Sequence, residues 1–139
     1  ASGRDCSNRF RLGIDDRVSF VGALPHAALP EYYQRAALLV MPSREEGFGL
    51  VVVEALGCCC PVAASDLPAM RDLIADGETG RLFRCDDVVD LVRVIGEMLE
   101  DPERARALAE RGRQHVLQRY DWSHTAQYYV DALLPARQD

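Results

Sequence analysis

Apolar and polar positions along the chain form two patterns, short apolar runs and longer segments with helical spacing. Residues 37–41 and 61–64 are continuous apolar runs, as expected of strands buried on both faces of a sheet. Residues 17–22 alternate in polarity and predict a further strand, and residues 81–84 predict a weak one after a turn at residues 76–80. Because short buried strands that alternate with helices form parallel sheets, the pattern predicts an α/β fold.

Helices are predicted between these strands and over the last third of the chain. Leu29, Tyr32 and Tyr33 follow helical spacing after the first strand. The last third is predicted to form three helices, which are separated at Asp101-Pro102 and at residues 121–123. The apolar stripes of the first two are Val88, Leu91, Val92, Ile95, Met98 and Leu99, and Ala105, Leu108, Ala109, Val116 and Leu117.

The composition is typical of a single soluble domain. The chain has 139 residues, of which 48% are hydrophobic and 27% charged, and its net charge is −6. A negative chain is a poor partner for nucleic acid or an anionic membrane. No apolar run approaches the ~20 residues of a membrane span, and the first residues are polar rather than a signal segment. We therefore expect a cytoplasmic protein with no nucleic-acid partner and no membrane span.

The cysteine and lysine content argues against several further kinds of site. Five cysteines, an odd number, favour a reduced intracellular chain over a disulfide framework. Three of them are adjacent at positions 58–60, and adjacent side chains diverge, so small buried apolar side chains are expected there and no metal site. All 16 basic residues are arginines, which excludes a Schiff-base or P-loop lysine within this chain. The chain begins at Ala1 rather than Met, which suggests a piece of a longer protein.

Residues 42–64 carry the candidate chemistry, since ligands of parallel α/β sheets bind beyond the carboxyl ends of the strands. Gly47 and Gly49 let the backbone approach a ligand closely. A helix that starts at Phe48 or Gly49 directs free N–H groups at that ligand and favours an anion. Glu46 lies at the mouth of the loop, and Glu54 lies two turns into the following element. This arrangement suits an extended ligand with an anion between two hydroxyl-bearing groups, such as a sugar joined through a diphosphate to a ribose.

Several other interpretations of this segment remain open at this point. Ser43 and Glu46 match a capping box, in which both would only cap a turn. Residues 50–53 are β-branched and favour a strand locally, although the length to Gly57 favours a buried helix. Gly47 and Gly49 also match the first two glycines of a dinucleotide fingerprint, but Val52 replaces the third, which argues against a nicotinamide enzyme.

A glycosidase pair is a further interpretation of Glu46 and Glu54. Eight positions along a helix span roughly 12 Å. Glycosidase carboxyls lie about 5–5.5 Å apart in retaining enzymes and about 6.5–9.5 Å apart in inverting ones. The spacing therefore argues against glycoside hydrolysis.

Residues 42–55 resemble a known family motif. The run Pro42-Ser43-x-x-Glu46-Gly47-Phe48-Gly49-Leu50, followed by Glu54-Ala55, is similar to the Glu-x7-Glu motif of retaining GT-B glycosyltransferases of group 1, family 4. Val18-x-Phe20-x-Gly22, Cys60-Pro61-Val62, Asp76-Gly77-x-Thr79-Gly80 and Tyr120-x-Trp122-Ser123 follow in the family's order. The resemblance implies a Rossmann-like parallel sheet with flanking helices, the C-terminal half of a GT-B fold that lacks its first strand or strands, with residues 1–139 forming an N-terminally truncated donor-binding domain.

The resemblance also implies roles for individual residues. Glu46 would be the catalytic carboxylate, contacting the transferred sugar beside its anomeric carbon, and Glu54 would bind the ribose hydroxyls. The remaining donor-binding residues would be Gly47, Phe48, Gly49 and Leu50 at the distal phosphate and sugar, Gly22, Ala23 and Leu24 near the base, and Ser43 within the motif. No metal or other cofactor is implied, and the substrate would be a nucleoside-diphosphate sugar. The acceptor, a saccharide or lipid, would bind a missing N-terminal domain.

Two departures from the family pattern qualify this expectation. Cys59 stands where the family usually has glycine at the end of a helix, and a left-handed residue there costs about 1 kcal/mol without glycine. The acceptor domain and the basic residues that neutralise the diphosphate are absent from the chain. We therefore expect negligible transferase activity from this chain alone. The alternatives are a non-catalytic, self-associating interaction domain and a GT-B sugar-nucleotide epimerase, while the base, sugar and acceptor are not identified.

Overall fold

The computed structural model describes residues 13–120, which contain a three-stranded parallel sheet. The strands are β1 (Leu39–Met41), β2 (Val62–Ser65) and β3 (Arg81–Phe83), in the order β1-β2-β3. Leu39 pairs with Val62 and Ala63 with Arg81, so all three strands point the same way. The carboxyl ends of the strands therefore lie at one edge of the sheet, as the α/β pattern predicts.

Within residues 13–120, five α-helices connect and cover these strands, and two short 3₁₀ turns precede the first of them. The turns are Asp15–Arg17 and His26–Ala28. The helices are α1 (Leu29–Arg35), α2 (Leu50–Gly57), α3 (Pro68–Leu73), α4 (Val88–Glu100) and α5 (Pro102–Tyr120).

The core lies on both faces of β2, whose four residues are all buried. Val62 and Ala64 belong to a cluster that also contains residues of α2 and α3, whereas Ala63 packs with Val94 of α4 on the other face. Helix α5 contributes to both clusters, with Leu108 on the α4 side and Val116 on the α2 side. Burial of the central strand on both faces explains its continuous apolar sequence.

The strand predicted at residues 17–22 is not formed in the described part of the chain. Arg17 ends a 3₁₀ turn, and residues 18–21 follow without strand assignment. A strand exists only where its backbone groups pair with a neighbouring strand, and the three strands within residues 13–120 pair only with one another. Alternating polarity alone could not supply that neighbour.

The predicted apolar stripe of α4 is confirmed at Met98, and Leu91 packs against the core, but the stripe is wrong at three other positions. Val88, Val92 and Leu99 are exposed, whereas the buried residues of α4 are Asp90, Val94 and Met98. The cause is Asp90, whose Oδ2 accepts a 2.8 Å hydrogen bond from the Arg84 backbone N–H at the end of β3. Arg93 donates to Oδ1 from Nε at 3.0 Å and from Nη2 at 2.7 Å. These bonds hold the pKa of the Asp90 carboxyl below its usual value and turn its side of the helix inward.

Helix α5 follows its prediction more closely. The Asp101 Oδ1 accepts a 2.9 Å hydrogen bond from the Arg104 backbone N–H, and Pro102 opens the helix, so the predicted cap is confirmed. Leu117 was predicted to face the core but is exposed. The predicted core residues Ala105, Leu108, Ala109 and Val116 are buried. The final predicted helix, which begins at residues 121–123, lies outside the described residues.

Helix α2 ends in a left-handed conformation at Cys59, the position where the family usually has glycine. Cys59 has φ +62°. Its N–H donates to Leu56 O at 2.9 Å, and the N–H of Cys60 donates to Ala55 O at 2.9 Å, which together form a Schellman motif. A residue other than glycine costs about 1 kcal/mol in this conformation. Cys60 is buried as expected of a small apolar side chain, while Cys58 and Cys59 are half-buried.

Candidate functional site

The loop between β1 and α2 lies at the carboxyl edge of the sheet, where ligands of this architecture bind. It ends at Gly49, the N-cap of α2, which has φ +85°. The side chains of Met70 and Leu73 from α3 pack against the position that a Gly49 Cβ would occupy. Both the backbone conformation and the packing therefore require glycine at this point of the loop.

The β-branched residues 50–53 form the first half of a helix, not a strand. Val52 and Val53 donate their N–H groups to Gly49 O at 2.9 and 3.2 Å. The competing strand interpretation is thus excluded, and α2 begins one or two residues later than predicted. Since Glu46 lies in the loop before α2, the earlier 12 Å estimate for a continuous helix does not describe the Glu46 to Glu54 separation.

The Glu46 carboxylate folds back over the loop amides. Its Oε1 accepts hydrogen bonds from the N–H groups of Gly47 at 3.1 Å, Phe48 at 3.4 Å and Gly49 at 3.2 Å. Within residues 13–120, the N–H groups of Leu50 and Val51 form no hydrogen bond. The start of α2 therefore has two free N–H groups, at Leu50 and Val51, while the N–H groups of the three preceding residues are occupied by the Glu46 carboxylate.

The capping-box interpretation of Ser43 is wrong for the described structure. No hydrogen bond joins the Ser43 hydroxyl to Glu46 in the part of the chain that the structure describes, and the N-cap of α2 is Gly49. Ser43 instead offers its backbone carbonyl to the Cys85 thiol, at 3.7 Å, in the loop after β3. Its neighbour Arg44 forms a 2.7 Å ion pair from Nε to Asp86 Oδ1 in the same loop. These two contacts, which the sequence analysis missed, connect the loops that follow β1 and β3.

Glu54 is held at both carboxylate oxygens. Oε1 lies 2.9 Å from His26 Nε2 in the 3₁₀ turn, and Oε2 accepts a 3.0 Å hydrogen bond from the Tyr33 hydroxyl of α1. Burial of the Tyr33 phenol, the hydrogen bond to Glu54 and its negative charge raise the pKa of Tyr33 to about 12. Sequence analysis missed both partners, because His26 had no recognisable partner and Tyr33 only matched a helical stripe.

The predicted base-side stretch, residues 22–24, lies just before His26 along the chain. Gly22 and Ala23 are exposed and Leu24 is half-buried. Leu24 is followed after one residue by His26, which contacts Glu54. His26 is therefore the residue that connects this end of the stretch to Glu54. The roles of these residues stay predictions.

Neither a metal cluster nor a membrane-spanning helix is found among the described residues. In residues 13–120, no group of three His, Cys, Asp or Glu side chains could hold a metal ion. No helix in that range is long and apolar enough to cross a membrane. The candidate site consists of the loop after β1, helix α2 and the two elements that contact Glu54, which are the turn His26–Ala28 and α1.

Sequence comparison assigns the family. The family model described as glycosyl transferases group 1 matches residues 10–115. The chain belongs to this family. A D-inositol 3-phosphate glycosyltransferase of Nocardia farcinica is 36% identical over 87% of this chain, and one of Mycolicibacterium smegmatis is 41% identical over 88%. A lipopolysaccharide core biosynthesis mannosyltransferase of Rhizobium leguminosarum is 40% identical over 75%.

This glycosyl transferase group 1 chain spans only part of its relatives. It covers 27% of the Nocardia protein, 27% of the Mycolicibacterium protein and 29% of the Rhizobium protein. The matched segment is thus about a quarter of each curated relative.

Solved structures of the family share the fold. Sucrose-phosphate synthase of Thermosynechococcus elongatus superposes with a TM-score of 0.81 at 34% identity, covering 91% of this chain and 34% of that chain. Anabaena HepE, solved in complex with UDP and glucose, superposes with a TM-score of 0.84 at 28% identity, covering 90% and 34%. The expected fold, a Rossmann-like parallel sheet of the C-terminal part of a GT-B enzyme, is confirmed.

Proposed function

We propose that this chain is the donor-binding part of a retaining glycosyltransferase, which moves a sugar from a nucleoside-diphosphate sugar to an acceptor. The observation that carries the proposal is the arrangement along α2. Its N-terminus presents the free N–H groups of Leu50 and Val51, and Glu54 on the same helix holds a fixed carboxylate. One extended ligand fits both features, with its diphosphate at the free N–H groups and its ribose at the Glu54 carboxylate. Anabaena HepE, which shares the fold, was solved with UDP-glucose.

The roles follow the order of groups in such a donor. The cradle at Gly47, Phe48, Gly49 and Leu50 binds the distal phosphate and the sugar, and Glu46 lies beside the anomeric carbon. Once the donor is bound, the Glu46 carboxylate stabilises positive charge that develops on the sugar during transfer. Glu54 accepts hydrogen bonds from the ribose, and residues 22–24 lie along the base, while Ser43 shapes the loop through its carbonyl contact to Cys85.

The remaining parts of the proposal concern what surrounds this site. Charge on the diphosphate is balanced by the helix N-terminus and by basic residues outside this chain rather than by a metal ion, and the enzyme acts in carbohydrate biosynthesis in the cytoplasm. The acceptor, a saccharide, an inositol phosphate or a lipid, binds protein outside this chain. Accordingly, the purified chain of 139 residues is expected to show negligible sugar transfer.

Replacing Glu54 by alanine is expected to weaken binding of the nucleoside diphosphate about tenfold or more, since hydrogen bonds to a charged group are worth roughly 1.5–3 kcal/mol. Calorimetric or ligand-observed titration of UDP, GDP and ADP measures the effect. Glu45→Ala is the matched control, because Glu45 is an exposed carboxylate on the loop before α2 and its replacement removes the same charge. Equal affinities of the two variants for all three diphosphates would contradict the assignment of Glu54. Sedimentation in the same buffers distinguishes donor binding from the alternative of a self-associating interaction domain, which predicts a dimer whose formation does not depend on nucleotide.

Replacing Glu46 by alanine is expected to raise the affinity for UDP about three- to tenfold, although the same change removes the catalytic carboxylate. In the described structure Glu46 occupies three N–H groups that the distal phosphate would use. Its removal frees those donors, each net hydrogen bond being worth about 0.5–1.5 kcal/mol. Glu45→Ala again controls for the loss of one negative charge. An affinity for UDP that falls in Glu46→Ala, or rises equally in both variants, would show that the carboxylate does not compete for the cradle.

A further inference from the structure

The Glu54 carboxylate is hydrogen-bonded by side chains from two separate elements. His26 approaches Oε1 from the 3₁₀ turn at 2.9 Å, and Tyr33 donates to Oε2 from α1 at 3.0 Å. The Glu54 side chain is 22% exposed, so it stays partly accessible to a ligand while both of its carboxylate oxygens contact these two partners. Two contacts on different oxygens fix the plane of the carboxylate, which a single contact would leave free to rotate.

The hydrogen bonds from His26 and Tyr33 leave lone-pair sites free on both oxygens of the Glu54 carboxylate. An ionised carboxylate has about four lone-pair sites, two on each oxygen. His26 and Tyr33 use one site on each oxygen, so one site on each remains. Two parallel acceptors on one rigid carboxylate match two neighbouring hydroxyl groups, each of which donates one hydrogen bond. A ribose presents such a pair at its 2′ and 3′ positions, whereas a 2′-deoxyribose presents only one.

Tyr33 and His26, the two residues that contact Glu54, differ in how firmly their side chains are packed. Tyr33 is half-buried and packs against the core cluster that contains Val52 and Leu56 of α2, so its ring is fixed relative to Glu54. Its raised pKa keeps the hydroxyl protonated, and therefore a donor, throughout the physiological range. The His26 side chain is 82% exposed and lies directly after the predicted base-side stretch.

We propose that Tyr33 and His26 are positioning residues, which orient the Glu54 carboxylate so that it accepts from both hydroxyls of a ribose cis-diol and thereby selects ribonucleotides over 2′-deoxyribonucleotides. This inference rests on the proposed function, because it assumes that Glu54 faces the ribose of the donor. It goes beyond that function by assigning the discrimination to two residues that do not themselves bind the sugar.

The test compares UDP with 2′-deoxy-UDP on the chain of 139 residues and its variants. The wild-type chain is expected to prefer UDP about tenfold, since the deoxy ligand leaves one acceptor of a charged group unpaired. Tyr33→Phe is expected to lower the affinity for UDP about fivefold and to change that for 2′-deoxy-UDP much less, so that the ratio falls towards two. Tyr32→Phe is the matched control on the same helix, and it is expected to keep the wild-type ratio, because Tyr32 makes no contact with Glu54.

Variants of His26 make the same test without disturbing the core. His26→Ala is expected to lower the ratio, and His26→Gln, which retains a donor, is expected to restore part of it. Because His26 is exposed, its variants remain folded even where Tyr33→Phe loosens the core, and thermal unfolding of each variant checks this. A wild-type chain that prefers UDP while Tyr33→Phe and His26→Ala keep the same preference would overturn the inference and leave the proposed function intact. A wild-type chain that binds none of UDP, GDP and ADP would overturn the proposed function, and the inference with it.

Discussion

Replacing Gly49 by alanine is expected to destabilise the chain by about 2–4 kcal/mol and to abolish nucleotide binding. Gly49 has φ +85°, a conformation that costs a residue with a Cβ roughly 1–2 kcal/mol. The added methyl would overlap the end of the Met70 side chain and lie 3.0 Å from Leu73 Cδ1. Met70 and Leu73 are each 1% exposed, so neither has free space to move into, and such overpacking costs about 1–3 kcal/mol.

Gly47 provides the matched control for this substitution. It lies in the same loop, its φ is not positive, and no atom lies within 4 Å of the position of its Cβ. Gly47→Ala is therefore expected to keep the stability of the wild-type chain to within about 0.5 kcal/mol. Urea denaturation measures the free energy of unfolding of both variants, and titration with UDP measures their affinity for the nucleotide. A Gly49→Ala chain as stable as Gly47→Ala would show that the loop geometry described here is wrong.

Replacing Gly112 by alanine is expected to destabilise the chain by about 2–3 kcal/mol, although alanine is the better helix former. Gly112 is buried in α5, where this helix crosses α2 and the turn before β3. Its Cβ would lie 2.5 Å from the backbone oxygen of Thr79 and 2.6 Å from Leu56 Cδ2. Since a backbone oxygen cannot rotate away as a side chain can, α5 would have to shift from the sheet.

Gly96 isolates the packing effect from helix propensity. It lies within α4, and apart from its chain neighbours and the nearby backbone of its own helix no atom of the described residues lies within 4 Å of the position of its Cβ. Gly96→Ala is therefore expected to stabilise the chain by about 0.5–1 kcal/mol, the usual gain of alanine over glycine in a helix. The same denaturation series measures both variants. If both substitutions stabilise the chain, the contact between α5 and the turn before β3 is not as described.

The elements that sequence predicted correctly depend on local patterns. Two of the three strands were predicted from short apolar runs, because a strand buried on both faces has no polar position to interrupt it. The start of α2 was predicted within two residues from Gly49 and the length to Gly57. The loop after β1 could be identified as the site because parallel strands place their carboxyl ends at one edge.

The elements that sequence predicted wrongly depend on partners far along the chain. The rotation of α4 is set by Asp90, whose carboxylate satisfies a backbone N–H at the end of β3, and a carboxylate is ordinarily expected to face solvent. His26 and Tyr33 lie 28 and 21 positions from Glu54, so neither contact leaves a periodic signal. The sequence signal that remained was weak, a histidine just after the predicted base-side stretch.

Amide chemical shifts of the ¹⁵N-labelled chain during titration with UDP and UDP-glucose test the donor-binding claim most directly, because they detect weak binding and locate it. UDP is expected to perturb residues 22–24, the amides from Gly47 to Val51, and Glu54. UDP-glucose is predicted to add perturbations at Glu46 and Gly47, beside the sugar. Titrations with UDP, GDP and ADP that leave these amides unchanged, or that move only the exposed face of α4 at Val88 and Val92, would contradict it.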